Sequence, residues 1–142
     1  MRTLLYASLV LWCAIACREK NMDTIQSFTQ ANGLSGRWYL KAVEKGVTAQ
    51  KTWENVQAAE VDTLVFRNDG VIMSATGLPR CCSPNSLILN GNLVEIKPTS
   101  PVPPNPMCAR VNCVSCSTWD IELSGSEIVV TPCNMPRLRY VR

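Results

Sequence analysis

Apolar and polar residues alternate along the chain from Gly36 onward, which is the pattern of β-strands with one buried face. In GRWYLKAVE the alternation places Trp38, Leu40 and Ala42 on one side of a predicted strand. Three hairpins are predicted next, each from two apolar runs around turn residues, in DTLVFRNDGVIMSA, SLILNGNLVEIK and STWDIELSGSEIVVTP. The segment PRLRYV adds one more short strand.

This pattern amounts to eight strands, most of them joined to their sequence neighbours. It predicts an all-β fold, specifically a small eight-stranded up-and-down antiparallel barrel. Each strand has one apolar face, and a closed barrel buries that face and removes exposed sheet edges. The alternative is a sandwich of two sheets, which the same alternation allows.

A different hydrophobic pattern occupies the first residues. Arg2 precedes an uncharged apolar run that ends in AIAC, which is typical of an export signal. The run is shorter than the roughly 20 residues needed to span a membrane. Its end resembles the lipobox of bacterial lipoproteins, so we expect residues 1–16 to be removed and Cys17 to carry acyl chains. The alternative is an ordinary secretory signal with an incidental cysteine.

Residues 17–35 are predicted to form an acylated tether with one short helix. Asp23 and Gln26 have the spacing of a capping arrangement, and Ile25 and Phe28 share a helical face. The sequence Asn32-Gly33 is typical of a helix end. A flexible spacer is the alternative for this segment. Residues 36–142 form the β-domain.

Charge and composition exclude several function classes. The net charge is only +3 and the basic residues are scattered, so no nucleic-acid partner is expected. The sequence has no histidine, which excludes a Ser-His-Asp hydrolase and a histidine general base. The carboxylate pairs of Glu60 with Asp62 and of Asp120 with Glu122 alternate with apolar residues, as on the solvated face of a strand. We therefore expect a non-enzymatic protein.

An even set of six cysteines follows the tether, at positions 81, 82, 108, 113, 116 and 133. In an exported chain such a set predicts disulfides, with 15 possible connectivities. If Ser124 and Gly125 form a two-residue turn, Ile121 lies opposite Ile128 and Cys116 lies opposite Cys133. A register slip of two residues would also preserve the apolar face.

The remaining cysteines are expected to staple the CCSP segment to the loop around residues 98–116, by joining Cys81 or Cys82 to Cys108 and Cys113. A bond between the adjacent Cys81 and Cys82 is disfavoured by geometry. The alternative is an all-thiolate zinc site, but the paired C-x2-C spacing typical of such sites is absent. No metal and no cofactor is expected.

The segment LSGRWYL, the series of short hairpins and the ending LRYVR resemble the small lipocalin-like domains of envelope lipoproteins in Gram-negative bacteria. The resemblance covers roughly residues 34–142 and includes a Gly-x-Trp at Gly36-Arg37-Trp38. It implies that Trp38 closes one end of the barrel beside a cation from the last strand, Arg137 or Arg139. The Thr-Asp-Tyr motif of lipocalins is absent and the chain is short, which argues against a large cavity.

Two functions are compatible with these features. In the first, the barrel binds a small apolar or amphiphilic ligand, and residues 45–60 form its mouth. The stretch KTWENVQAA is predicted to form a helical turn that presents Trp53 and Val56 to the ligand, although Trp53 alternatively caps the core. The inward-facing residues Leu64, Phe66 and Ile121 are further ligand candidates, or plain core.

In the second function, the interior is filled and the surface binds an envelope protein as a scaffold or inhibitor. The stretch KPTSPVPPNPMC then forms a stiff, cysteine-fastened binding loop, or alternatively an irregular connection. In both cases the acyl chains bind the protein to a membrane. Because Arg18 follows Cys17, rather than the aspartate associated with inner-membrane retention, the outer membrane is the expected location.

Overall fold

In this computed structural model the fold is mostly β, and the strands form one curled sheet with the shape of a half-barrel. The structure describes residues 26–28, 33–46, 50–57, 62–114, 116–133 and 135–142. The expected signal segment, Cys17 and most of the tether lie outside these residues. The strands are β1 (Gln26–Ser27), β2 (Gly36–Lys45), β3 (Thr52–Asn55), β4 (Thr63–Phe66), β5 (Ile72–Met73), β6 (Ser86–Leu89), β7 (Asn92–Glu95), β8 (Thr118–Ser124), β9 (Glu127–Thr131) and β10 (Leu138–Val141).

The strands lie in the order β1-β7-β6-β8-β9-β10-β2-β4-β5, and β3 also pairs with β2. The long strand β2 accommodates two partners on one side because its first half pairs with β4 and its second half pairs with β3. Its other side pairs with β10. Within the described chain the sheet is open, with β1 and β5 at its two ends, and not the closed eight-stranded barrel predicted from the sequence.

The three predicted hairpins are confirmed as β4–β5, β6–β7 and β8–β9. At the β6–β7 turn, Asn90 and Gly91 both have positive φ, of 48° and 82°. Two consecutive positive φ values are the requirement of a type I′ turn, which explains why Asn-Gly predicts this hairpin correctly.

The predicted up-and-down antiparallel order is wrong at two pairs of strands. Strand β6 runs parallel to β8, and β1 runs parallel to β7. A parallel pair needs a long crossover, and the segment from Ile96 to Ser117 provides it. This segment contains a short 3-10 helix, Pro106–Arg110.

The predicted helix in the tether is also wrong where the structure describes it. Gln26 and Ser27 form β1, since the free edge of β7 provides backbone hydrogen-bond partners. Phe28 follows and is buried against Gly70. A Cβ at Gly70 would lie 2.8 Å from the Phe28 ring, and the φ of +88° at Gly70 also favours glycine. The β4–β5 turn therefore needs glycine at this position to make room for the ring.

The core is a single cluster on the concave face of the sheet. Trp38 is buried there and Leu40 packs partly buried against the cluster, as the alternation in β2 predicts. Ala42 is buried outside this cluster, because the register shift in the β2–β10 pairing places it opposite Arg139 instead. The largest fully buried side chains are Trp38, Tyr140, Phe66, Leu34, Leu64, Ile72, Leu87, Ile121 and Ile128.

Candidate functional site

Three disulfides fasten the crossover segment to the β5–β6 connection and to the β9–β10 connection. Cys116 bonds to Cys133, as predicted. The predicted register of β8 and β9 is nevertheless wrong by two residues, because Ile121 pairs with Val130 instead of Ile128. The ladder ends before the cysteines, and the irregular backbone beyond it brings their Cα atoms to 5.7 Å.

The other two disulfides join neighbouring residues to two different positions of the crossover. Cys81 bonds to Cys108 and Cys82 bonds to Cys113, each with a Cα–Cα distance of 5.2 Å. Both pairings fall within the set expected from the sequence. All six sulfurs are therefore in disulfides instead of the alternative zinc site.

A cavity of about 330 Å³ lies between the sheet and these disulfides. Trp119, Val130, Leu138 and Tyr140 supply side chains of β8, β9 and β10 to its wall, while Val114 and Met135 lie at its exposed rim. Its remaining lining residues are Arg80, Cys81, Cys82, Asn112, Cys116, Pro132 and Cys133. Among the described lining residues most are thus apolar, and Arg80 is the one that carries a charge.

A polar cluster of Asp62, Arg80 and Tyr140 lies beside this cavity. The Arg80 Nη1 donates to Asp62 Oδ1 at 2.9 Å and lies 2.7 Å from Oδ2. The Tyr140 hydroxyl donates to Asp62 Oδ2 at 3.3 Å, and the Thr63 backbone N–H donates to Oδ1 at 2.9 Å. One carboxylate therefore positions both the guanidinium and the phenol.

The ionisation states of this cluster follow from its burial and its hydrogen bonds. Burial raises the pKa of the Asp62 carboxyl, but the hydrogen bond from Arg80 and the charge of Arg80 lower it by more. The net pKa of Asp62 therefore lies below its ordinary value. Burial lowers the pKa of Arg80, whereas Asp62 raises it more. Burial and the negative charge of Asp62 together raise the pKa of Tyr140. At neutral pH the cluster thus contains a carboxylate, a guanidinium and a neutral phenol.

None of the five residues predicted to contact a ligand lines this cavity. Leu64, Phe66 and Ile121 are at most 1% exposed and belong to the core. Val56 is half-buried beyond β3, and its backbone N–H donates to the Lys41 carbonyl at 3.0 Å. The predicted helical turn is wrong, since Trp53 lies in β3, a strand paired with β2.

The predicted cation partners of Trp38 are wrong as well. Arg142, at 4.2 Å from the ring centroid, lies over Trp38, whereas Arg139 and Arg137 lie over Trp53 at 4.3 and 5.8 Å. The reason is the register of β10, which places Val141 opposite Tyr39, so that the next residue reaches the neighbouring Trp38. Tyr140 is buried, and the preceding residue in β10, Arg139, lies on the opposite face of the sheet.

Sequence reasoning missed Arg80, Trp119, Leu138 and Tyr140 as cavity residues. Three of them lie in β8 or β10, where the strand pattern predicts no ligand contact for them. The available signal was their position next to the cysteines, because Arg80 directly precedes Cys81 and Trp119 follows Cys116 by three residues.

Comparison of the chain with known protein families, with curated proteins and with solved structures found no match. In the part of the chain described, no helix is long and apolar enough to cross a membrane. The same residues include no group of three acidic or cysteine side chains arranged to hold a metal ion. The candidate site therefore stands on its geometry alone.

The proline-rich part of the crossover is held to the β4–β5 turn by Arg67 and Asp69. Arg67 donates to the Ser100 and Pro101 carbonyls at 3.2 and 3.4 Å and forms an ion pair with Asp69. Asp69 in turn accepts a hydrogen bond from the Thr99 backbone N–H at 2.9 Å. We call Arg67, Asp69 and Thr99 the loop clamp.

Burial raises the pKa of Asp69, but hydrogen bonds from Arg67, Thr99 and Val71 lower it more, from 3.8 to about 2. A lowered pKa stabilises the fold by an amount that is complete above pH 3.8 and is lost as the pH falls towards 2. At about 1.4 kcal/mol per pKa unit, this amounts to about 2 kcal/mol.

We expect Asp69→Asn to lower the free energy of unfolding at pH 7 by about 2 kcal/mol and to reduce its decline between pH 4 and pH 2. Urea unfolding at a series of pH values measures both effects. Asp120→Asn, at an exposed position of β8, is the matched control and should change neither. Equal pH profiles for wild type and Asp69→Asn would contradict this role of the loop clamp.

Proposed function

We propose that this chain is a lipid-anchored envelope protein that binds a small apolar or amphiphilic molecule in the cavity beside the three disulfides. The observation that carries the proposal is the cavity itself, with an apolar wall and a few polar groups on one side. Ligand sites of globular proteins have this combination, with volumes of roughly 300–1,000 Å³. At about 330 Å³ the cavity falls at the small end of that range.

We further propose that the half-barrel is a reduced lipocalin-like domain. Two contacts of Trp38 support this relation: its indole N–H donates to the Leu34 carbonyl at 2.8 Å, and Arg142 covers its ring. A buried tryptophan on the first long strand and a cation from the end of the last strand are what the resemblance implies.

Filling the cavity tests ligand binding. Leu138→Trp adds volume at a half-buried lining position, so we expect it to lower the affinity for the neutral apolar probe N-phenyl-1-naphthylamine at least tenfold. Leu93→Trp, at a 46% exposed position of β7, is the matched control and should bind as wild type does. Circular dichroism checks that both variants are folded. Unchanged probe affinity in a folded Leu138→Trp protein would contradict the proposed site.

The anchor is tested separately, because Cys17 lies outside the described residues. We expect the mature protein to begin at Cys17 and to carry two or three acyl chains, which bind a membrane far more firmly than one. Intact mass spectrometry and fractionation of inner and outer membranes measure these properties. Cys17→Ala should remove the added mass and the membrane association. A mature protein without acyl chains would overturn this part of the proposal.

A second candidate function is that of a protein-binding or inhibitor module, whose outer surface binds an envelope protein. The loop clamp favours it, because Arg67 and Asp69 hold residues 99–101 in place while the neighbouring Val102 remains 39% exposed. An ordered loop loses less entropy on binding than a flexible one. Val102→Asp, which leaves the clamp intact, should abolish capture of an envelope protein by crosslinking if this function holds.

A further inference from the structure

We propose that the molecule bound in the cavity carries an anionic head group and that Arg80 binds this group. The proposal deepens the proposed function and rests on it. Among the described residues that line the cavity, Arg80 is the one charged side chain, and the others are apolar, neutral polar or disulfide-bonded. A ligand with one charged end therefore has a single place for that end.

The guanidinium of Arg80 is held in one orientation, with part of it available. Within the described residues its hydrogen bond to Asp62 uses Nη1 alone. No described residue accepts a hydrogen bond from its Nη2 or Nε. An arginine offers several N–H groups in a planar fork that matches a carboxylate or phosphate. Arg80 thus retains donors for a second anion while Asp62 fixes its position.

The surroundings of Arg80 also favour an anion with a single short chain. The Arg80 side chain is 29% exposed, so its contact with a ligand is only partly screened by water. Arg80 also lines a neighbouring cavity of about 270 Å³ beside Val102, so this residue borders both spaces. The first cavity, of about 330 Å³, holds about ten heavy atoms if each water-sized group occupies roughly 30 Å³. The exposed rim at Val114 and Met135 provides an apolar exit for a longer chain.

Decanoate and decan-1-ol test the proposal because they share a chain and differ in head-group charge. Titration calorimetry on the purified protein should show decanoate binding at least tenfold more tightly than decan-1-ol. Arg80→Gln should lower decanoate affinity at least tenfold and change decan-1-ol affinity less than twofold. Decyl phosphate distinguishes a phosphate from a carboxylate preference. Arg110→Gln removes an exposed cation that does not line the cavity and is the matched control.

Asp62→Asn provides a variant in which Arg80 is retained and its carboxylate competitor is neutralised. We expect decanoate affinity to rise at least threefold in this protein, and added salt to weaken decanoate binding in wild type. Val102→Trp, which alters only the neighbouring cavity, should leave decanoate affinity unchanged.

The outcomes separate this inference from the proposed function. Equal affinities for decanoate and decan-1-ol, or decanoate affinity unaffected by Arg80→Gln, would overturn the role of Arg80 while leaving the apolar site in place. Loss of decanoate binding in Val102→Trp but not in Leu138→Trp would place the head group and chain in the neighbouring cavity and overturn the proposal. Failure of both compounds and of the neutral probe to bind wild type would overturn the site as a whole.

Discussion

Replacing Cys82 and Cys113 together with alanine is expected to lower the free energy of unfolding by about 3–4 kcal/mol. The bond closes a loop with a sequence separation of 31 residues, and removing it restores the conformational freedom of that loop in the unfolded chain. Domains of this size have a total stability of about 5–15 kcal/mol. The loss of one bond is therefore a large share, and reduction of all three bonds should unfold the protein.

Urea unfolding followed by circular dichroism measures this effect. The double variant should also lose affinity for the apolar probe, because Cys82 lines the cavity and Cys113 positions the neighbouring rim residue Val114. Val111→Ala is the control for a mutation in the crossover that leaves the disulfides intact, because Val111 is 47% exposed and lies between Cys108 and Cys113. A loss below 1 kcal/mol in the double variant would show that the crossover is held mainly by other contacts.

Trp38→Ala should cost about 3–5 kcal/mol, the usual range for truncating a buried large aromatic residue. Trp38 is 0% exposed, its indole N–H donates a hydrogen bond to the Leu34 carbonyl, and the guanidinium of Arg142 lies over its ring. The truncation leaves a cavity in the core and removes both contacts. Trp38→Phe should fall between wild type and alanine, because it keeps an aromatic ring and loses the hydrogen bond.

Trp53→Ala is the informative comparison for Trp38→Ala. Trp53 is half-buried on β3, outside the core cluster, with Arg137 and Arg139 over its ring, so we expect its truncation to cost only about 1 kcal/mol. Denaturant unfolding of the two variants side by side measures the difference. Similar losses would show that Trp38 is no more important to the core than a tryptophan on the sheet's outer face.

The local part of this fold was predictable because each hairpin is specified by neighbouring residues. Asn90-Gly91 adopts the positive φ values that join β6 to β7. The placement of β8 was not predictable in this way, because its parallel pairing with β6 joins residues separated by a crossover of more than twenty positions. Two-residue periodicity is the same for parallel and antiparallel neighbours, so it carries no information on that choice.

The register of β8 and β9 shows a second limit. A slip of two residues keeps Ile121 facing the core in either pairing, so the apolar pattern does not distinguish them. The Cys116–Cys133 bond forms regardless, since irregular backbone beyond the ladder absorbs the difference. A similar irregularity between Arg139 and Tyr140 determines which arginine reaches Trp38.

The cavity was placed wrongly because it belongs to no single strand or loop. It exists where the crossover, fastened by disulfides, lies across the ends of β8, β9 and β10. Arg80 joins it through an ion pair with Asp62, eighteen positions earlier in the chain. Such a site depends on long-range connectivity, which the spacing of apolar residues does not encode.

The adjacent cysteines Cys81 and Cys82 impose a sorting problem during oxidative maturation. Their partners are only five positions apart, so exchanging them would close loops of nearly equal length and nearly equal entropy. Loop length therefore cannot select the native linkage. Selection falls to the backbone, where Cys82 adopts a left-handed φ of 60°. Efficient production should accordingly depend on a thiol–disulfide isomerase or a glutathione redox buffer.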